Sequence, residues 1–403
     1  MSAATEARPA PPSRPLARLL VPLGAVTGIT AFASALTNPF LAVFLSQSLG
    51  VGPVASAVFL VLMPLASVVM ATVLGHLSDR RRIRRRLLLV AAVSGGIGSL
   101  CFALVDNYWV LLAVSMTLMA VAGSLSPQVF AYAKQLLDHS RSTRAPMTIS
   151  TLRMLVSVAW VLGPPLAGML LGVIGFGGLF ALTAGGFVVA AMVVVFWLAE
   201  PSPPRSGADL PVTRHRDGGL NPTVWSTMLA FLMLQWAIML AVLTLPLFIS
   251  EDLHGEIKDA GLVLGLCAAL EIPLMVFFGA LATRLPLRGL VLFGTGFGLA
   301  YYVAVAASTA VWQVAAAQVL NACYISAVLG LGISYFQDLM PTSPGLSTTL
   351  FTNTNRIAAM FAGAVFGYAQ YAGYRLAYLA CGGLCFAGLL LLAFTRPRPR
   401  PQP

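Results

Sequence analysis

The stretch Gly75 to Arg86 reads GHLSDRRRIRRR and lies at the junction of two apolar runs, 54–76 and 87–105. Six of its twelve residues are arginine, whereas neither run contains Asp, Glu, Lys or Arg. A helix rises about 1.5 Å per residue, so about 20 apolar residues cross the hydrocarbon core of a bilayer. The stretch therefore predicts a short basic loop between two membrane-spanning helices.

Apolar runs of this length recur along the whole chain. Of 403 residues, 58% are hydrophobic and 9% are charged, whereas soluble domains carry about 25% charged residues. This composition excludes most soluble folds and predicts an all-α membrane protein with twelve transmembrane helices. The predicted spans are residues 19–46, 54–76, 87–105, 108–136, 147–171, 177–198, 223–248, 259–283, 289–307, 310–336, 346–371 and 375–394.

The connections between the spans predict the domain organisation. The longest, 199–222, is rich in Pro, Gly and charge and divides the chain into two six-helix bundles, 19–198 and 223–394. The Pro/Arg-rich ends, 1–18 and 395–403, have a composition typical of disordered tails.

Lysine and arginine predict the orientation. Twenty of the 24 basic residues lie in segments on the same side as both termini, and two, Lys258 and Arg375, lie in loops on the opposite side. We therefore predict that both termini and the linker are cytoplasmic. The net charge of +11 then reflects topology and does not indicate a nucleic-acid partner.

Weak internal similarity relates the two halves. Gly75 to Arg84 aligns with Gly279 to Arg288 at an offset of 204 residues, and Arg153 and Arg356 are 203 residues apart. These offsets predict two pseudo-symmetric bundles related by an axis along the membrane normal.

Three ionisable residues lie inside the predicted spans: Arg153, Glu271 and Arg356. A charge at bilayer depth costs about 3 kcal/mol or more, so such a residue normally faces an aqueous cavity or a partner. We predict that both arginines contact a solute in a central cavity. The alternative is a structural role, in which hydrogen bonds or an ion pair fix the bundle.

Uncharged residues at similar depth extend the predicted cavity. Gln235, Asn321 and Asn353 supply amide groups, and Trp160 lies two turns from Arg153 on the same helical face. We predict that all four contact the solute, with interhelical hydrogen bonding or plain packing as the alternative for each.

The sequence offers little that favours an enzyme. It contains no Walker-type phosphate loop and no visible pairing of a nucleophile with histidine. The five cysteines lie in apolar runs away from histidines at metal-ligand spacing, so neither a metal site nor a cofactor is predicted.

Several motifs resemble a known family. GHLSDR resembles the signature loop of the major facilitator superfamily, in which the residues matching Asp79 and Arg80 are thought to form a cytoplasmic latch, although Arg82 replaces the usual glycine. The alternative for this loop is a basic clamp on anionic lipid. Within the superfamily, the chain resembles the sugar efflux transporters. The segments that carry this resemblance are SVAWVLGPPLAG (157–168), LEIP (270–273), FQDLMP (336–341) and TTLFTN (348–353).

The resemblance implies a monomeric exporter of sugars or glycosides in the bacterial inner membrane, working by alternating access and proton antiport. Glu271 is the one carboxylate at mid-depth and would carry the proton. A multidrug or antibiotic exporter of the same superfamily is the first alternative, since the Gly-Pro motif of span 5 fits it equally well. A membrane-embedded enzyme or a non-transporting sensor is the second.

Overall fold

The computed structural model describes residues 16–80, 83–139, 145–198, 222–341 and 343–395. Nearly all of these residues are helical, and they form twelve helical segments. The segments are α1 Leu16–Thr37, α2 Pro53–Arg80, α3 Arg84–Leu104, α4 Tyr108–Val114 with Leu125–His139, α5 145–174, α6 176–197, α7 Pro222–Leu247, α8 Ile257–Leu281, α9 Leu287–Ala307, α10 Val311–Leu339, α11 Pro344–Ala372 and α12 Tyr374–Phe394. A π-helical turn, Ser115–Met119, and a short helix, Ala120–Ala122, join the two parts of α4.

By length and hydropathy, ten helices in the described ranges could cross a membrane. One of them, Thr151–Trp197, is 47 residues long and changes direction at Gly175. Gly175 has φ 63° and ψ −174°, a conformation that glycine tolerates, and it separates α5 from α6. The helix Pro344–Ala372 is 29 residues long but is not among the ten. Its first half is polar, with eight polar or charged residues between positions 347 and 356.

Several predicted boundaries differ from the structure by a few residues, and two of these differences affect the basic loop and the N-terminal tail. Helix α2 continues through Arg80, so the first half of the basic stretch is helical and the loop is shorter than predicted. Helix α1 begins at Leu16, inside the predicted tail. Residues 1–15, 199–221 and 396–403 lie outside the described part, as do the side chains of the predicted latch, Asp79 and Arg80.

The helical bundle has two ends, the terminal end and the far end. The terminal end is where α1 begins and α12 ends. The far end carries the connections from α1 to α2, from α7 to α8 and from α11 to α12.

Helices α5 and α8 bring the two halves of the chain together near the far end. Gly261 packs directly against the carbonyl oxygen of Pro164, and Gly265 packs against the ring of Pro165. Since glycine has no side chain, the two backbones approach closely. The Gly-Pro motif of span 5 is thus a packing surface.

Helices α2 and α11 form the matching contact on the other side. A Cβ atom on Gly363 would lie 2.6 Å from the backbone carbonyl of Leu60, and one on Gly367 would lie 2.5 Å from the Cβ of Ala57. These positions also lie near the far end. The residues in close contact between the halves are therefore concentrated at that end.

The far end also contains a pair of related turns. Two π-helical turns, Phe44–Ser48 and Phe248–Asp252, are 204 residues apart, and each precedes a left-handed residue, Gly50 (φ 61°) and His254 (φ 53°). The Nε2 atom of Gln47, in the first turn, donates to the Oε1 atom of Glu251, in the second, at 3.4 Å.

At the terminal end, two arginines cap equivalent helices. Arg85, at the start of α3, donates to the carbonyl oxygens of Val194 and Val195 at the end of α6. Arg288, at the start of α9, donates to the last carbonyls of α12. The residue equivalent to Arg288 is therefore Arg85 rather than the predicted Arg84, and the local offset is 203, as it is for Arg153 and Arg356.

Candidate functional site

A cavity of about 330 Å³ lies in the N-terminal half, which contributes all of its lining residues. Met63 and Ser67 line it one and two turns from the contact that Leu60 makes with α11. Trp160 and Val156 line it one and two turns from the contact that Pro164 makes with α8. The cavity thus begins directly beyond both contacts between the halves, on their terminal side.

The cavity wall combines hydroxyl groups with aromatic rings. Thr27 and Thr30 of α1 donate their hydroxyl hydrogens to carbonyls of their own helix, which leaves their oxygen lone pairs as acceptors. Asn38 is exposed in the wall, and its side chain makes no hydrogen bond with another described residue. Trp160 is half-buried and presents a ring surface. This set suits a small solute that has both hydroxyl groups and an apolar face.

Arg153 continues the cavity-lining face of α5. It lies one turn before Val156 and two turns before Trp160, and its side chain is exposed. Its guanidinium group has no hydrogen bond or ion pair with another described residue.

Arg356 occupies the corresponding place on α11. It lies two turns from Gly363, on the face that contacts α2, and it is half-buried. Asn353 is exposed one turn further toward the terminal end. Among the residues that the structure describes, Arg356 has no ion-pair or hydrogen-bond partner. Neither guanidinium group is therefore engaged by another described residue.

Glu271 begins a buried polar chain in the C-terminal half. Its Oε1 atom accepts a hydrogen bond from the thiol of Cys267 at 3.4 Å. Asn321 on α10 donates through Nδ2 to the same sulfur, at 3.4 Å, and to Gln318, at 2.9 Å. Gln318 in turn donates to the hydroxyl of Tyr301 on α9 at 3.4 Å. Hydrogen bonds thus link the carboxyl group on α8 to two other helices, α10 and α9, and no cation in the described ranges pairs with it.

Gln235 lies deeper than the other predicted site residues. It is fully buried between α7 and α11, where its Nε2 atom donates to the hydroxyl of Thr354 at 3.0 Å. Its Oε1 atom is enclosed and has no partner among the described residues.

The predicted site residues therefore occupy four surroundings, one of which is the enclosed position of Gln235 between α7 and α11. Trp160 lines the cavity of the N-terminal half, and Arg153 lies two turns from it on the same face of α5. Arg356 and Asn353 lie on the inter-half face of α11. Glu271 and Asn321 share the buried chain. Sequence reasoning missed Cys267 and the cavity residues of α1, α2 and α4, because hydroxyls and single cysteines are common in membrane helices and gave no distinguishing signal.

Comparison with known proteins places the chain in a family. The family model described as the Major Facilitator Superfamily matches residues 23–363 and 227–403. A solved structure of a bacterial homologue of the human lysosomal transporter Spinster, in an inward-facing and occupied conformation, has a TM-score of 0.78 at 14% identity. The match covers 97% of this chain and all of that one.

Two curated relatives are similar over almost their full length. Sugar efflux transporter C of Escherichia coli (strain K12) is 34% identical, with 91% of this chain and 93% of the relative covered. Sugar efflux transporter A of Dickeya chrysanthemi is 33% identical, with 89% and 92% covered. The chain belongs to the sugar efflux transporter family of the Major Facilitator Superfamily.

Proposed function

We propose that this multi-pass membrane protein exports sugars or glycosides. The observation that carries the proposal is the cavity at Trp160, which offers hydroxyl acceptors beside an aromatic ring. A sugar has hydroxyl donors around its rim and one apolar ring face, so both parts of the wall find a counterpart. The two sugar efflux relatives, at 33% and 34% identity, support the same substrate class.

The orientation is the second part of the proposal. With both termini in the cytoplasm of a bacterial cell, 20 basic residues lie inside and two lie outside. The terminal end then faces the cytoplasm, and the halves close against each other on the outer side. In this state the cavity is placed to receive a solute from the cytoplasm.

Transport requires access to the cavity to alternate between the two sides of the membrane. We assign residues 19–198 and 223–394 to two bundles that rock about the cavity, connected by 199–222. The contacts of Gly261 and Gly363 would separate when the outer side opens, and Asp79 and Arg80 would latch the cytoplasmic side.

Proton antiport would use Glu271. It is half-buried, unpaired with any cation in the described ranges, and bonded to the single thiol of Cys267. A carboxyl group at membrane depth that has no cationic partner can exchange a proton when an aqueous cavity opens to it.

The proposal is tested in proteoliposomes prepared with an acidic lumen. Protons leaving the lumen should drive accumulation of labelled lactose or a thiogalactoside, and a cationic dye should not accumulate. Accumulation of the dye without the sugar would instead support the multidrug alternative. Absence of flux for either solute, in protein that remains inserted and monodisperse, would contradict the exporter assignment.

Trp160→Ala is expected to weaken sugar binding about tenfold, corresponding to about 1.4 kcal/mol, because the ring face loses its stacking partner. Trp160→Phe should recover much of the loss. The measurement is the KM for sugar accumulation at a fixed pH gradient. Trp109→Ala, at an exposed aromatic on α4, is the matched control and should leave KM unchanged. Equal KM values for Trp160→Ala and the unmodified protein would mean that the ring only packs.

A further inference from the structure

A second hollow lies between α3 and α6, away from the contacts between the halves. It has a volume of about 540 Å³, and all thirteen lining residues are apolar or glycine. Gly96, Ala181 and Gly185 form its floor by their small size, and Ile97 and Val188 are among its exposed walls. In a membrane protein such a surface faces lipid.

The length of the groove matches one leaflet of a bilayer. On α3 it extends from Leu89 to Leu100, and 11 residues at about 1.5 Å each span about 16 Å. The hydrocarbon core is about 30 Å thick, so the groove reaches about the midplane. The hydrogen bonds from Arg85 to Val194 and Val195 fix the α3 start beside the α6 end, which places one mouth of the groove at the terminal end.

A positively charged side chain, that of Arg86, lies at the terminal end of the groove. Arg86 precedes Leu89 by three residues and Val93 by seven, so it shares the groove-lining face of α3. Its side chain is exposed and has neither an ion pair nor a hydrogen bond in the described ranges. Phe196 and Trp197, at the end of α6, are 76% and 68% exposed. Exposed aromatic rings at a helix end are typical of the membrane–water interface.

We propose that the groove binds an acyl chain of an anionic phospholipid, with the lipid headgroup paired to Arg86. The chemistry of the two parts is complementary to one molecule: an apolar channel one leaflet long and an unpaired cation at the headgroup level. The site is specific to the N-terminal half, because the position 203 residues after Arg86 is Gly289. It is separate from the sugar cavity and independent of the transported solute.

The test uses purified full-length protein, delipidated in detergent, and measures bound lipid by native mass spectrometry. The probes are phosphatidylglycerol, phosphatidylcholine and glycerol phosphate. We expect phosphatidylglycerol to bind about fivefold more tightly than phosphatidylcholine, the contribution of one basic residue near an anionic surface. Arg86→Gln should remove this preference while retaining binding of both lipids.

Gly185→Leu should reduce occupancy by both lipids, since the added side chain fills the groove. A Cβ atom at Gly185 meets nothing within 4 Å, so the variant should fold. Gly383→Leu is the matched control at the equivalent exposed position of α12, 198 residues on, and should bind lipid as the unmodified protein does. Unchanged occupancy in Gly185→Leu, unchanged preference in Arg86→Gln, or equal competition by glycerol phosphate would each overturn the proposal.

Discussion

Gly261→Leu is expected to reduce transport strongly by disfavouring closure of the far end. The Cβ of any larger residue would collide with the carbonyl oxygen of Pro164 and approach the backbone of Gly168, neither of which can move as a side chain does. Overpacking of this kind costs about 1–3 kcal/mol, which shifts the ratio of closed to open states about 5- to 150-fold. Since each cycle of the proposed mechanism passes through this closed state, flux should fall by about the same factor, about 5- to 150-fold.

Hydrogen–deuterium exchange distinguishes failed closure from misfolding. In Gly261→Leu, amide exchange should accelerate in the far-end segments 48–60 and 257–266 and remain unchanged in α9 and α12. Gly296→Leu, at an exposed position of α9 with nothing within 4 Å, is the control and should transport normally. Normal flux in Gly261→Leu would show that the α5–α8 contact is dispensable.

Glu271→Gln should uncouple sugar movement from protons without unfolding the protein. With one unit of pH gradient and one proton exchanged per sugar, the unmodified protein should accumulate sugar about tenfold. The glutamine variant cannot release a proton, so its accumulation should fall to the external concentration. Exchange of labelled for unlabelled sugar at equal pH needs no net proton movement and should persist.

A second carboxylate provides the matched control. Glu256 lies at the start of α8, is exposed and pairs with Lys258 at 2.7 Å. Glu256→Gln should leave gradient-driven accumulation intact. If Glu271→Gln still concentrated sugar about tenfold, the coupling proton would have to reside on another group.

Much of the fold could be predicted because membrane crossing imposes a length on apolar runs. The prediction placed the α8 and α9 spans within two residues of their observed starts, Ile257 and Leu287. The alignment of the two repeats with each other was harder to predict. Arg84 and Arg85 are adjacent and identical in type, and only the cap on Val194 and Val195 shows which one corresponds to Arg288.

The candidate site was harder to predict, because depth along a helix does not reveal which face a side chain occupies. Gln235 and Trp160 were expected in one cavity, yet Gln235 is enclosed against Thr354 while Trp160 borders open space. Cys267 bonds to Glu271 on its own helix and to Asn321 on α10. Cys267 and Asn321 are 54 residues apart in the sequence. No local pattern reports such a pairing.

Gln47 and Glu251 occupy equivalent positions in the two repeats, and they differ in residue type because both repeats belong to one polypeptide. Two identical subunits would place the same side chain on both sides, and two glutamates there would repel each other. Because the repeats are fused and their sequences have diverged, an amide donor faces a carboxylate acceptor instead. The contact is exposed and therefore weak, so it can join the two halves at the far end and still break when, in the proposed cycle, that end opens.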